Sequence, residues 1–494
     1  SRYTASSTLQ RMELLKTGYM GTLSLGWDNY LFLELTGRQE RSSTLKDQSF
    51  FYPSANLSFL FSNAFRMPAW WNHGKLRLSY GVVGNAPETY AANIIYEQGS
   101  DNGFTWNYVP SSWGNANIRP EKKYEYEIGF ESKFLNNRLG FDVSYYNNRV
   151  KDQILSTPQP STSGVKYVLM NVGEVANEGW DISVSATPVL TKNFRWDLTA
   201  NYGIYRNKVV KLADGVPYLE ISNIGGGGAK IQAVEGRPMG DIYVQVPQMN
   251  ENGEYLVSDK GLYMNQTELQ RVGNINPDGV GGLFSSFSYK NIFLDFSIDF
   301  RIGGDVINEM YQYSTASGLT PESLQFRDTE HGGLSYYYPG NNNASGVPVQ
   351  VDPSLGAGPN GETVYHDGVI LPGVVASTGE KNTRIIPAGY YYNQTYNWGT
   401  QPEQLTYRHS VFDNSYVKLR ELTIGYQFPE KLISKLGMTR LSVSVFGRNL
   451  FYFYKALKNY DAESSVGTSW ASQAVVGGST TATRNFGVSL QASF

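Results

Sequence analysis

No cysteine occurs anywhere in the 494 residues, which excludes a disulfide framework, thiolate metal sites and a cysteine nucleophile. Charge is sparse as well: Asp, Glu, Lys and Arg make up 17% of the chain, against about 25% in ordinary globular proteins. With a net charge of −3 and a pI near 5.9, there is no electrostatic footprint for a nucleic-acid partner. The four histidines, His73, His331, His366 and His409, are too scattered for an HExxH motif or any other ligand spacing. No stretch approaches the ~18 consecutive apolar residues of a membrane helix, and Ser1 to Lys16 lacks the apolar segment of a signal peptide. Only helical spanning is excluded by this. A β-barrel crosses a bilayer with strands of ~9–11 residues and alternating polarity, a pattern compatible with the mean hydropathy of −0.37.

What the chain has is alternation. From Asn291 to Ile302 the even positions are Ile292, Leu294, Phe296, Ile298, Phe300 and Ile302, while the odd ones include Asp295, Ser297, Asp299 and Arg301. One face is apolar and the other polar. The end of the chain repeats the pattern, with Phe486, Val488, Leu490, Ala492 and Phe494 on one parity and Asn485, Ser489, Gln491 and Ser493 on the other. One strand changes phase between Leu419 and Leu422, which predicts a β-bulge near Arg420 and Glu421. In all, about thirteen strands are predicted, near 18–26, 30–38, 51–61, 74–82, 124–134, 138–150, 179–187, 194–209, 283–288, 291–302, 414–428, 439–450 and 484–494. Their connections alternate between short ones (27–29, 62–73, 135–137, 188–193, 289–290, 429–438) and mostly long ones (39–50, 83–123, 151–178, 210–282, 303–413, 451–483). Short turns on one side and long loops on the other are the habit of outer-membrane barrels. Aromatic residues near strand ends, among them Trp27, Tyr30, Trp180, Phe194, Trp196 and Phe428, suit a membrane interface. A soluble all-β protein with packed apolar faces is the competing architecture, but it does not require long loops on one side only.

The expected fold class is therefore all-β, a transmembrane antiparallel β-barrel with long extracellular loops. Single-chain bacterial barrels have an even strand number, and an open edge in lipid is prohibitive. Residues 1–494 are accordingly read as the C-terminal portion of one outer-membrane barrel domain, with a plug domain and earlier strands outside this segment. No catalytic constellation, metal site or cofactor is expected, and the chain is not read as an enzyme. Gly225–Lys230 (GGGGAK) lacks the GK[ST] of a phosphate loop, and Asn274, Asn276 and Asp278 lack the acidic residue that completes a calcium loop. Candidate substrate-binding residues are the loop aromatics Tyr390, Tyr391, Tyr392, Trp398, Tyr336, Tyr337, Tyr338, Trp106 and Trp113, whose rings could stack on sugar faces. Asp295, Asp299, Arg301, Lys418 and Arg420 are candidates for facing the lumen or a plug. Phe494, an aromatic C-terminus on a final strand, is a candidate signal for the barrel-assembly machinery.

Several stretches resemble the C-terminal part of the SusC/RagA family of TonB-dependent outer-membrane transporters. They are Asn117–Leu155 (NIRPEKKYEYEIGFESKFLNNRLGFDVSYYNNRVKDQIL), Asn171–Leu212, Gly273–Gly282 (GNINPDGVGG), Gly303–Asn308 (GGDVIN), Asp413–Pro429 (DNSYVKLRELTIGYQFP) and Phe446–Phe453 (FGRNLFYF), in the family's order. Two segments depart from its pattern: Asn459–Glu463 (NYDAE) and the closing TRNFGVSLQASF. The resemblance implies a 22-stranded barrel in the outer membrane of a Gram-negative bacterium, a plug contacting the TonB energy-coupling complex, and a SusD-like surface lipoprotein as a lid. It also implies active import of oligosaccharides and allows a dimer of transporter–lipoprotein pairs. Import of peptides or iron chelates by the same machinery, or a structural or secretion-associated barrel, are the alternatives.

Overall fold

The computed structural model describes residues 12–45, 49–93, 96–101, 104–158, 161–397, 407–457, 459–478 and 482–494. Thirteen long strands make its frame: β1 (Lys16–Trp27), β2 (Leu31–Ser42), β3 (Ser49–Phe59), β4 (Trp71–Asn85), β5 (Glu121–Phe134), β6 (Leu139–Pro158), β7 (Tyr167–Leu190), β8 (Phe194–Lys211), β9 (Gly279–Tyr289), β10 (Ile292–Ile302), β11 (Tyr416–Gln427), β12 (Arg440–Lys455) and β13 (Asn485–Ser493). They pair in chain order into one antiparallel sheet. The expected bulge is at Arg420, which has no partner in β10: Ser297 pairs with Glu421 and Ile298 with Leu419.

Register carries the alternation across the sheet. One pairing row runs Trp27, Leu31, Phe59, Leu76, Phe130, Val143, Ile182, Tyr202, Gly281, Phe300 and Val417, from β1 to β11. The neighbouring row, on the opposite face, runs Ser58, Arg77, Gly129, Ser144, Asp181, Gly203, Val280, Arg301 and Tyr416. On the apolar face Leu76, Leu78, Ile128, Trp180, Ile424 and Val445 remain 40–59% exposed. A continuous apolar face with no protein over it is the surface that lipid covers in a transmembrane barrel.

The apolar row also measures strand tilt. It starts at Trp27, the last residue of β1, beside a short turn. At β8 it has climbed to Tyr202 and at β10 to Phe300, each eight residues past the first residue of its strand, Phe194 and Ile292. Eight residues rise about 26 Å, while seven to nine strand spacings cover about 34–43 Å. The strands therefore lean by roughly 30–40°, close to the ~35–45° of membrane barrels. Paired rings gather at the short-turn end: Trp70 stacks on Trp71 at 5.9 Å and Trp196 on Phe287 at 5.4 Å between centroids, while Tyr426 and Phe428 meet edge to face at 5.2 Å.

Connections 28–30, 60–70, 135–138, 191–193, 290–291 and 428–439 lie on one side of the sheet, and 43–48, 86–120, 159–166, 212–278, 303–415 and 456–484 on the other. Two expected long loops are shorter than the sequence suggested. β2 runs on to Ser42, and β6 and β7 replace most of 151–178 with a protruding ladder. Beyond the apolar band lipid no longer sets the two faces apart, and Ile154 and Leu169 pack instead on Leu45, Phe50 and Ile118, so the two-residue period fades from the sequence while the backbone pairing continues.

The buried core belongs to the loops. Ile231, Ile242 and Val244 from 212–278 pack with Ile307 and Tyr407 from 303–415 and with Ala474 and Val475 from 456–484. Two small sheets brace this cap. One comprises Tyr218–Ile224, Ala229–Val234, Asp241–Val244 and Gln270–Asn274; the other joins Val411–Asp413, Asp305–Asn308 and Val475–Val476. The cap's buried carboxylate is compensated: Asp241, 0% exposed, accepts from Arg237 at 2.6 Å, Arg271 at 2.9 Å and Asn274 at 2.9 Å.

Candidate functional site

Six adjacent strands, β6 to β11, contribute to a single cavity of about 760 Å³ on the polar face, lined by Asp142, Ser144, Asp181, Ser183, Asn201, Asp299, Arg301 and Tyr416. The lining is two pairing rows wide. Asp142, Ser183, Asn201, Gly282 and Asp299 form one row; Ser144, Asp181, Gly203, Val280, Arg301 and Tyr416 form the other. Side chains from so many strands meet in one cavity because this face is concave. Arg77 on β4 shows the same convergence. Its guanidinium crosses β5 to reach Asp142 on β6 at 2.6 Å and Ser144 at 3.2 Å. The crossing needs a glycine at 129, where a Cβ would lie 2.7 Å from Arg77 Nε. Three carboxylates, Asp142, Asp181 and Asp299, and one guanidinium, Arg301, line the cavity, giving it groups of both signs that can hydrogen-bond a ligand or a docked domain.

At the long-loop end of this face the bulge turns Arg420 into a hub. It donates to Asp299 at 3.0 Å, to Asn449 at 2.9 Å and to Glu463 at 2.5 Å. Glu463 also accepts from Lys418 Nζ at 2.5 Å. Lys418 is only 2% exposed, and its ammonium lies 4.7 Å from the centroid of the Tyr452 ring. Tyr452 in turn donates to Asp461 at 2.6 Å. Loop 456–484 is thereby latched to the inner wall by Asp461 and Glu463. Burial pushes the Glu463 carboxyl up, but the hydrogen bonds from Arg420 and Lys418 outweigh it and hold the group below its ordinary value. The latch therefore stabilises at pH above the ordinary carboxylate range and is lost only as pH falls through the lowered value. Glu463→Ala strands a buried ammonium, so a local cost of ~3–5 kcal/mol is expected. Limited proteolysis should then cut within 456–484 while the barrel stays folded; an uncleaved loop would show that Lys418 is satisfied without Glu463.

The five residues expected to face a lumen or plug all lie on the polar face. Asp299, Arg301, Lys418 and Arg420 cluster at its long-loop end, where Arg301 donates to the carbonyls of Gly303 at 3.1 Å and Ile275 at 3.0 Å. Asp295 stands lower and accepts from Ser286 at 2.5 Å. Arg77, Asp142 and Glu463 were missed by sequence reasoning. The first two are brought together only by pairing across β5, and Glu463 lies in the NYDAE stretch that departs from the family pattern.

The loop aromatics are divided by the fold. Tyr336 is 1% exposed, stacks on Tyr365 at 5.5 Å and donates to Asp367 at 3.1 Å. Tyr392 is 6% exposed and donates to the carbonyl of Glu322 at 2.8 Å. These two rings pack the interior of the cap and offer no free face, which corrects the expectation that they stack on substrate. Tyr391, Tyr337 and Tyr338 are half-buried, as is Trp113, whose indole N–H is buried without a hydrogen-bond partner. Trp106, 48% exposed, and Tyr390, 36% exposed, retain open faces. Trp398 lies outside the described residues. Phe494 follows β13 and is 83% exposed. Asn274 and Asn276 donate to the Met239 carbonyl, a turn-bracing role. Among the described residues no group of three or more His, Asp and Glu side chains is placed to hold a metal.

Residues 4–242 match the family model described as TonB dependent receptor-like, beta-barrel. Among curated proteins, the TonB-dependent receptor P3 of Formosa agariphila is 22% identical over 91% of this chain and 42% of its own length. The TonB-dependent receptor SusC of Bacteroides thetaiotaomicron is 27% identical over 45% of this chain and 24% of its own length. The chain thus spans less than half the length of these relatives. Among solved structures, one of the RagAB peptide transporter superposes with a TM-score of 0.69 at 19% identity, covering 97% of this chain and 48% of that one. The two-faced tilted sheet and the one-sided loops agree with these matches: residues 4–242 are similar to the TonB dependent receptor-like β-barrel family, and the chain shares the fold of the RagAB barrel.

Proposed function

We propose that the protein imports a nutrient across the outer membrane, the 494 residues forming the C-terminal part of a larger barrel closed by further strands and filled by a plug that contacts TonB. The observation that carries this reading is a sheet apolar on one face and polar on the other, with a cavity of about 760 Å³ shared by six of its strands. The relatives named as TonB-dependent receptors support it. For the cargo we favour neutral oligosaccharides, taken up together with a SusD-like lipoprotein. The open rings of Trp106 and Tyr390 and the Ser, Asn and Asp lining of the wall suit sugar hydroxyls and faces. Peptides are the second reading, because the polar face carries Arg301 in the cavity and Arg77 and Arg420 paired with its carboxylates Asp142 and Asp299, and RagAB is described as a peptide transporter.

Salt separates the two. Stacking and neutral hydrogen bonds are little screened, whereas ion pairs to a charged peptide are. The full-length transporter with its lipoprotein should bind oligosaccharides with an affinity that changes less than about twofold between low and high ionic strength. Strongly salt-dependent peptide binding with no sugar binding overturns the glycan choice and leaves the importer reading standing.

A further inference from the structure

Four pairing rows on the outward face of β4 to β8 change character step by step toward the long loops. The first is wholly apolar or aromatic: Leu78, Ile128, Tyr145, Trp180 and Ile204. Next come Tyr80, Tyr126, Asn147, Glu178 and Arg206, and then Val82, Tyr124, Arg149, Ala176 and Lys208. In the fourth, Lys122 stands directly opposite Lys151, and the β4 residue beside Lys122 is Gly84, which has no side chain.

Two ammonium groups facing each other across a strand pair repel. The surroundings do not neutralise them: among the described residues neither Lys122 nor Lys151 has a carboxylate within ion-pair distance, nor do Arg206 and Lys208. Glu174 is engaged by Arg149 at 3.1 Å. The patch is solvent-facing, since Arg149, Lys151, Arg206 and Lys208 are exposed. It begins immediately beyond the Tyr145–Trp180 pair, whose rings are 4.9 Å apart, where the apolar band gives way to water.

We infer that this patch binds the phosphorylated headgroup of a glycolipid in the leaflet that surrounds the long-loop end of the barrel. Three features select that occupant: the patch is cationic, it faces away from the lumen, and it sits at headgroup height above an apolar, aromatic face. A soluble substrate bound for the lumen would have no reason to meet the outer wall. The aromatic pair anchors the acyl region while Lys122, Lys151 and Lys208 close on phosphate, relieving the repulsion between the facing lysines. The inference rests on the membrane orientation proposed above, with the long loops outside.

The test uses the full-length protein, purified in detergent, and the triple variant Lys122→Gln, Lys151→Gln, Lys208→Gln. Retained lipid is measured by native mass spectrometry after adding lipid A, its dephosphorylated form, or inorganic phosphate. With each basic residue near a lipid surface worth about a factor of five, the triple variant should bind lipid A about a hundredfold more weakly. The corresponding triple arginine variant should retain binding, and dephosphorylated lipid A should not be held. Equal retention by the glutamine variant, equal retention of dephosphorylated lipid, or full displacement by millimolar phosphate would each overturn the proposal. Fractionation of the wild-type protein in cells is read separately. If it is absent from the outer membrane, the orientation fails; if it is present and lipid A is not retained, the lipid site alone fails.

Discussion

Ile298→Arg should cost ~2–4 kcal/mol of barrel stability, roughly a thirty- to eight-hundredfold loss in the folding equilibrium. Ile298 lies near the middle of β10, on the apolar face, flanked in register by Leu283 and Leu419. An arginine there would place its charge at the level of the bilayer centre with no partner on either neighbouring strand. The adjacent change, Ser297→Arg, should cost little, because position 297 points to the polar face and pairs with Glu421. The comparison is made by denaturant unfolding of the full-length protein in phospholipid bilayers and by heat-modifiable gel mobility. A tolerated Ile298→Arg beside a damaging Ser297→Arg would invert the two faces.

The other large effect is expected in the cap. Ile307 is 0% exposed at the junction of three loops, so Ile307→Asp combines a lost aliphatic side chain with an unpaired carboxylate in an apolar core. Replacing a buried aliphatic residue by alanine alone costs about 2–5 kcal/mol, and the charge adds to that. The cap should come apart while the barrel remains inserted, because Ile307 touches none of the apolar jacket. Protease added to intact cells should then cut within 212–278 and 303–415, sites that resist in the parent protein. Cleavage confined to 191–193 and 428–439 would reverse the topology.

How far the sequence could be read differs between the sheet and the cap. All thirteen long strands were legible, and so was the bulge at Arg420, because in a sheet with one face in lipid and the other in water every residue announces its side. That signal weakened where it physically must. In 151–178, beyond the apolar band, paired strands looked like loop. The polar-face candidates Asp299, Arg301, Lys418 and Arg420 followed from parity alone, whereas their partner Glu463 did not, since a loop folding back on a strand leaves no periodic trace. The aromatic runs Tyr336–Tyr338 and Tyr390–Tyr392 misled for a related reason. Composition says that rings are present, but only the tertiary packing decides that Tyr336 and Tyr392 point inward and Tyr390 outward.

The cap's core has a consequence for the order of assembly. Ile231, Ile307 and Val475 meet in one cluster, yet they come from three connections far apart in the chain, and contacts this distant form late. The cluster cannot be completed until the segment between β12 and β13 is in place. A sheet assembled without the β12–β13 hairpin would therefore display an unfinished, apolar cap. Maturation could be followed by when that surface disappears, and a quality-control protease would need to inspect only the cap to know whether this hairpin has joined the sheet.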